Sequence, residues 1–176
     1  MNKKLITAAS IALAACVAIG GTIAYLTDKT DTITNTFTVG NVDITLKEDG
    51  AKDNAQNFHV YPGEVKDKVA YVTVAKGSEN CFVYVKAEAE NMEDISWDMS
   101  DDWTKVAGEE NVWYYNKPVT VETPLYLLDG NHVTVAQNVT GFEQVPTLKF
   151  TAYAVQSDGF EDENAAWAAT FVEHQA

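Results

Sequence analysis

The chain has 176 residues, with 12 lysines and no arginine against 26 acidic residues, for a formal charge of −14. That length suggests one domain with enough chain to bury a core, and the charge excludes nucleic acid as a partner, because phosphate binding needs clustered basic side chains. The same charge disfavours anionic lipid surfaces and makes any self-association sensitive to salt.

The N-terminus has the layout of an export signal. Lys3 and Lys4 precede an apolar segment over residues 5–20, and small residues follow at Gly20, Gly21 and Thr22. Cleavage is expected after Ala24, with Thr22 and Ala24 as the small residues the peptidase requires and Tyr25 as the new N-terminus. Loss of residues 1–24 leaves ten lysines against 26 acidic residues, a formal charge of −16. Two rival readings stay open. Residues 5–26 make a stretch of about 22 residues, long enough for an uncleaved membrane anchor. Leu13-Ala14-Ala15-Cys16 fits a lipoprotein signal, although the sequence stays apolar after Cys16 where lipoproteins turn polar. Cleavage and release is the favoured reading, with membrane contact only before the cut. Once Cys16 leaves, Cys81 has no intramolecular partner. Its place beside Phe82 and Val83 reads as a small buried hydrophobe.

From Thr34 onward the dominant period is two, the signature of half-buried strands. Thr34, Asn35, Thr36, Phe37, Thr38 and Val39 form a β-prone, uncharged run; after Gly40-Asn41, the apolar Val42, Ile44 and Leu46 alternate with Asp43, Thr45 and Lys47. Further strands are expected over 68–75, 81–89, 112–115, 119–128, 132–139 and 147–156, separated by turn signals such as Pro62-Gly63, Gly77-Ser78 and Asp129-Gly130-Asn131. No helical crossovers intervene, so the spacing favours an antiparallel sandwich or jelly roll. One short helix is expected near the C-terminus, capped by Asp162, Glu163 or Asn164 and running over 165–171, with Trp167 and Phe171 on one face. Residues 91–110 read as a long acidic connection whose Trp97 and Trp103 fold back onto the core.

Enzymatic constellations are sparse. His59, His132 and His174 are far apart, no His-Glu-x-x-His or Gly-x-Ser-x-Gly occurs, and glycine-rich phosphate loops are absent. Acidic clusters occur at Glu93, Asp94, Asp98, Asp101 and Asp102, and again at Asp158, Glu161, Asp162 and Glu163. Neither has the spacing of a calcium loop, so solvated loops are the default and weak calcium binding at Asp98, Asp101 and Asp102 the alternative; no other cofactor is expected. The run 34–39 offers a different activity: beside a freshly cut terminus, a β-prone strand either pairs in its own sheet or completes a neighbouring subunit's edge.

The junction Gly20-Gly21-Thr22-Ile23-Ala24-Tyr25-Leu26-Thr27-Asp28 and the following Asn35-Thr36-Phe37-Thr38-Val39-Gly40-Asn41-Val42-Asp43-Ile44 resemble the N-terminus of the TasA/camelysin family of Gram-positive bacteria. Tyr61-Pro62-Gly63, the entry Lys76-Gly77-Ser78-Glu79-Asn80-Cys81 and the C-terminal region from Lys149 to Phe171 are also similar, and the likeness is specific over about the first fifty residues. The resemblance implies processing by a SipW-type signal peptidase, a jelly-roll fold, export to the cell surface or extracellular matrix, and self-assembly into biofilm fibres with the N-terminal segment donated to the next subunit. Camelysin-like members imply a surface metallopeptidase instead, for which this chain has no zincin motif. The expectation is therefore a signal peptide over 1–24 and an all-β, jelly-roll-like antiparallel β-sandwich over 25–176 with one short C-terminal helix. The resemblance implies that within the N-terminal segment 25–41 about residues 25–39 serve as the donor strand of a non-enzymatic homopolymer. A camelysin-like peptidase and a monomeric envelope adhesin are the alternatives.

Overall fold

The computed structural model describes residues 27–30, for which only the backbone is considered, together with 41–52 and 56–171. The expected leader, its cleavage site at Thr22, Ala24 and Tyr25, the strand over 34–39 and His174 lie outside the described residues. Among the described residues no helix is long and apolar enough to cross a membrane.

The fold is all-β and antiparallel, with one short helix near the C-terminus, as expected from the period of two. In chain order the strands are β1 (Thr27–Thr30), β2 (Ile44–Glu48), β3 (Val65–Asp67), β4 (Ala70–Val74), β5 (Cys81–Glu90), β6 (Ile95–Ser96), β7 (Trp103–Lys105), β8 (Val112–Tyr115), β9 (Leu125–Tyr126), β10 (His132–Val135) and β11 (Thr147–Gln156), followed by helix α1 (Glu163–Thr170). They form sheets of order β1-β11-β5-β8-β7, β2-β4-β9 and β3-β10-β6.

The spine is the pairing of β5 with β11, ten residues each, in register from Thr147↔Glu90 to Gln156↔Cys81. Strict alternation gives these two strands a different partner on each face. Cys81, Val83, Val85 and Ala87, with Phe150, Ala152 and Ala154, enter the main core against Ile44, Val72, Val74 and Leu125 of the β2-β4-β9 sheet. Tyr84 and Val155 face the other way, into a second cluster with Val112, Ala166, Trp167 and Phe171. The layers are therefore helix, five-stranded sheet and opposing sheet, with β3-β10-β6 extending the last through Val133 and Ile95.

The two small sheets are one antiparallel ribbon with an interruption. Leu127 N–H donates to Ala70 O and Lys68 N–H to Asn131 O, so the pairing of β4 with β9 continues into β3 with β10 around the turn Asp129-Gly130-Asn131. Gly130 and Asn131 both have left-handed backbone, φ 57° and 55°. A Cβ on Gly130 would lie 2.6 Å from the His132 ring, so any other residue there has to displace that ring as well as hold left-handed backbone. At the interruption Lys68 is 7% exposed, and its ammonium lies 2.7 Å from Glu48 Oε2 and over the Phe58 and Phe150 rings. Removing only the carboxylate leaves a buried cation unpaired. Glu48→Ala is expected to lower unfolding free energy by about 3 kcal/mol, whereas the double change Glu48→Ala with Lys68→Met recovers most of it, both read from urea denaturation.

Cys81 is buried, as its sequence neighbours suggest, and burial pushes its thiol up to about 11 from 9.0. It is expected to be silent to thiol reagents at pH 8 in the folded chain and reactive in urea. The unfolded thiol ionises near 9 and the folded one near 11, so the chain loses stability as pH rises through that interval. Burial also raises the Tyr84 phenol, deepening the alkaline loss above the ordinary tyrosine range. Thermal melts of the natural chain and Cys81→Val across pH 8 to 11 check the thiol share, which the variant lacks.

The strand expected over 119–128 shortens to β9, because Pro118 and Pro124 bracket a turn at Val121-Glu122 in which Glu122 has φ 60°. The expected connection over 91–110 contains β6 and β7, and it does return both tryptophans: Trp103 is buried and Trp97 packs against the main core. In α1 the N-cap is Asp162, whose Oδ1 accepts the Ala165 N–H at 2.8 Å.

Candidate functional site

The two ends of the five-stranded sheet are unlike. On one side lies β7, three residues long and carrying Lys105, a short charged edge of the kind that resists pairing. On the other lies β11, whose outer edge is met by β1 in the register Thr27↔Val155, Asp28↔Ala154, Lys29↔Tyr153 and Thr30↔Ala152. Thus a segment that begins at the third residue after the expected cut pairs with the sheet of the same chain.

Three features set the chemistry of that edge. First, β11 is long and rigidly backed, paired along all ten residues with β5 on its inner side. Second, its side chains at the β1 register alternate between the two apolar clusters: Ala152 and Ala154 point into the main core, while Tyr153 and Val155 pack with α1. This edge is therefore backed by packed side chains on both faces of the sheet. Third, the described part of β1 is four residues, Thr27–Thr30. At about 1 kcal/mol net for each backbone hydrogen bond, these four described residues contribute a few kcal/mol, less than the cost of opening the whole domain. The pairing with β11 is described over Thr27–Thr30, four of the ten residues of that strand, and is made backbone to backbone.

Around this edge the aromatic side chains are fixed. Tyr84 donates its hydroxyl to Glu163 O at 2.7 Å, tying β5 to the first turn of α1, and Trp167 Nε1 donates to Glu109 Oε1 at 3.0 Å. Asn164 Oδ1 accepts the Ala107 N–H at 2.8 Å, so the loop after β7 is held to the helix as well.

The sequence pointed to residues 34–39 as the donor strand, and these lie outside the described residues. The described strand of the expected donor segment 25–41 is β1, in front of that run. Its Thr-Asp-Lys-Thr sequence has neither alternation nor apolar content, so periodicity gave no sign of it. The acceptor, residues 152–155, was legible as a strand, but nothing in the chain order tells which side of a strand is an edge.

The calcium candidates serve the loops in which they lie. Asp98 O accepts the Asp129 N–H, Asp101 O accepts from the Asn116 side chain, and the Asp102 carboxylate pairs with Lys117, raising the lysine's pKa through that hydrogen bond. Among the described residues no three His, Cys, Asp or Glu side chains gather into a group that could hold a metal ion. In the second acidic cluster, Asp162 caps α1 and Glu163 sits in its first turn, where negative charge complements the helix dipole. No family model, curated protein or solved structure matches this chain.

Proposed function

We propose that this chain is a secreted structural protein that assembles into cell-surface or biofilm-matrix fibres of a Gram-positive bacterium by N-terminal strand addition. The residues after the expected cut leave their own β11 and pair with β11 of the next subunit. The observation that carries the reading is the pairing of β1 with β11 immediately behind the export junction. Before cleavage, a leader embedded in the membrane tethers this segment; a SipW-type signal peptidase would free it, so that export and competence to assemble are gained in one step. The resemblance of the junction to the TasA/camelysin family supports the same reading.

The subunits carry a formal charge of −16 after the expected cleavage, so strand exchange has to overcome mutual repulsion. Backbone pairing is short-ranged and insensitive to salt, whereas the repulsion extends over a Debye length of about 10 Å at 0.1 M salt. Assembly should therefore accelerate as salt is raised. The test is electron microscopy of chain beginning at Tyr25 against chain beginning with the uncut leader, across a salt series. Fibres from the processed form alone, increasing with salt, are expected; monomers at every salt concentration would reject the proposal.

A further inference from the structure

Strand β5 outruns one of its two neighbours. On one side β11 accompanies it over all ten residues; on the other, β8 pairs with Tyr84, Val85 and Lys86, and the Ala87 N–H then donates to Asn111 O at 2.9 Å. Among the described residues no strand continues that pairing over 88–90. Alternate residues of an antiparallel strand direct their backbone groups to the same side, so Ala89 points its N–H and C=O as Ala87 does, away from β11 and past the end of β8. Ala89 is exposed. The sheet therefore has a notch, with one backbone donor and one acceptor turned toward it.

The two faces of this notch differ in chemistry. Ala87 lies in the main core, and Trp97 and Trp113 pack against the same cluster, so Ala89, two residues on, shares their face. The indoles meet edge to face, with centroids 6.3 Å apart at 66°, and make one continuous wall. An open cleft of about 640 Å3 runs along that wall and Ala89. Glu88 and Glu90 belong to the opposite face of β5. With Glu110 they set three carboxylates around the notch against one ammonium, that of Lys105, which sits 5.3 Å from the Trp113 centroid. Glu88 is shared with Lys86 at 3.3 Å, whereas Glu90 and Glu110 are exposed.

We propose that this notch docks an extended segment of another protein, added antiparallel beside β5 in line with β8, whose side chains read basic, apolar, basic. The residue opposite Ala89 exchanges both backbone hydrogen bonds with it and lays an apolar side chain on the outside of the indole wall. Its two neighbours stand opposite Glu88 and Glu90 on their face of the sheet, where a lysine or arginine meets a carboxylate and an acidic side chain is repelled. A second copy does not fit this pattern. Among the 12 lysines only Lys66 and Lys68 stand two apart, and the acidic Asp67 lies between them. The notch is on the side of β5 away from β11, so it stands whether or not β1 exchanges.

The test titrates the chain beginning at Tyr25, at low salt, with acetyl-Thr-Lys-Leu-Lys-Thr-amide, read by calorimetry and tryptophan fluorescence. Saturable binding of one peptide per chain is expected, with a change in indole emission. Three control peptides should bind at least about tenfold more weakly. Lys-Thr-Leu-Thr-Lys keeps the composition but moves both lysines to the leucine's face, Thr-Glu-Leu-Glu-Thr reverses the charge, and N-methylation of the leucine removes the backbone donor. In the protein, Ala89→Pro deletes the N–H that faces the notch and spares the bonds to β11. Glu90→Lys reverses the charge beside it. Each weakens binding at least about tenfold, whereas Glu79→Lys, an equal change of net charge at an exposed position before the other end of β5, leaves it unchanged. Melting temperatures show whether Ala89→Pro folds, and Glu90→Lys carries the comparison if it does not. No saturation by about 10 mM peptide, equal binding of the rearranged or N-methylated peptide, or equal losses in Glu90→Lys and Glu79→Lys overturns the proposal.

Discussion

A chain carrying Thr27→Cys and Val155→Cys, with Cys81→Ala to remove the native thiol, is expected to form no fibres when oxidised as a monomer and to regain them on reduction. The two positions are partners in the β1–β11 register, and antiparallel partners lie at Cα separations of about 4.5 to 5.5 Å, within disulfide reach. The staple closes β1 on its own subunit and removes the donor and the acceptor together. Because it changes no other surface, it distinguishes strand exchange from assembly by face-to-face contact, which it would leave intact. Adding reductant to preformed monomer should restore assembly from the same sample. Oxidation during assembly should trap cross-linked ladders on a non-reducing gel, since the partner cysteines then lie on neighbouring chains. Deleting residues 25–39 gives the complementary result: a largely folded monomer, with an uncovered β11 edge, that binds a peptide of the same sequence in trans. Fibres from the oxidised staple, or from the deletion, would reject strand addition.

The main strands were readable because their environment is two-sided. Residues 81–90 and 147–156 alternate between two apolar clusters, and both appear in the structure at nearly the expected bounds. The 112–115 strand is another such case, with Val112 and Tyr114 toward the helix and Trp113 and Tyr115 toward the main core. Elements supported by few side chains left no period to read. β3 is three residues, Val-Lys-Asp, held by pairing with β10, and β6 is two residues paired with the same strand. The candidate site was legible in part for the same reason. A free β-prone terminus can be seen in a sequence; the edge that receives it is a property of strand order. That order, β1-β11-β5-β8-β7, joins strands far apart in the chain, and such contacts depend on which pairings bury the most surface.

The acidic clusters show how composition conceals structural work. Asp162, Glu163 and Asp102 resemble one another as solvated charge in the sequence, yet one caps a helix, one lies in its first turn and one holds Lys117. Helix capping by Asp162 could be anticipated from its place three residues before Ala165. The pairing of Asp102 with Lys117 could not, because the two residues meet only through the β7–β8 hairpin.

Trp167→Ala is expected to give the largest loss of stability in the described chain. The indole is 2% exposed and meets three rings, with centroid distances of 5.1 Å to Tyr84, 5.4 Å to Tyr153 and 4.8 Å to Phe171. It is the centre of the layer that joins α1 to the outer face of the sheet. Truncation removes its buried area, leaves a cavity that rigid strands on one side cannot close, and strands Glu109 without its indole donor. Such changes cost about 3–5 kcal/mol, a large share of the 5–15 kcal/mol by which a domain is stable. A fall in melting temperature of about 10 °C or more is expected, with loss of near-ultraviolet circular dichroism from the aromatic cluster. The effect should also reach the β1 edge. Tyr153, one of the rings that Trp167 holds, is the register partner of Lys29, so loosening the helix layer loosens the backing of β11. Amide exchange over 27–30 is therefore expected to rise more in Trp167→Ala than in Glu48→Ala, whose defect lies on the other side of the sheet. A change of less than about 1 kcal/mol on truncation would mean that α1 docks without joining the cooperative unit, and the edge would then stand on the main core alone.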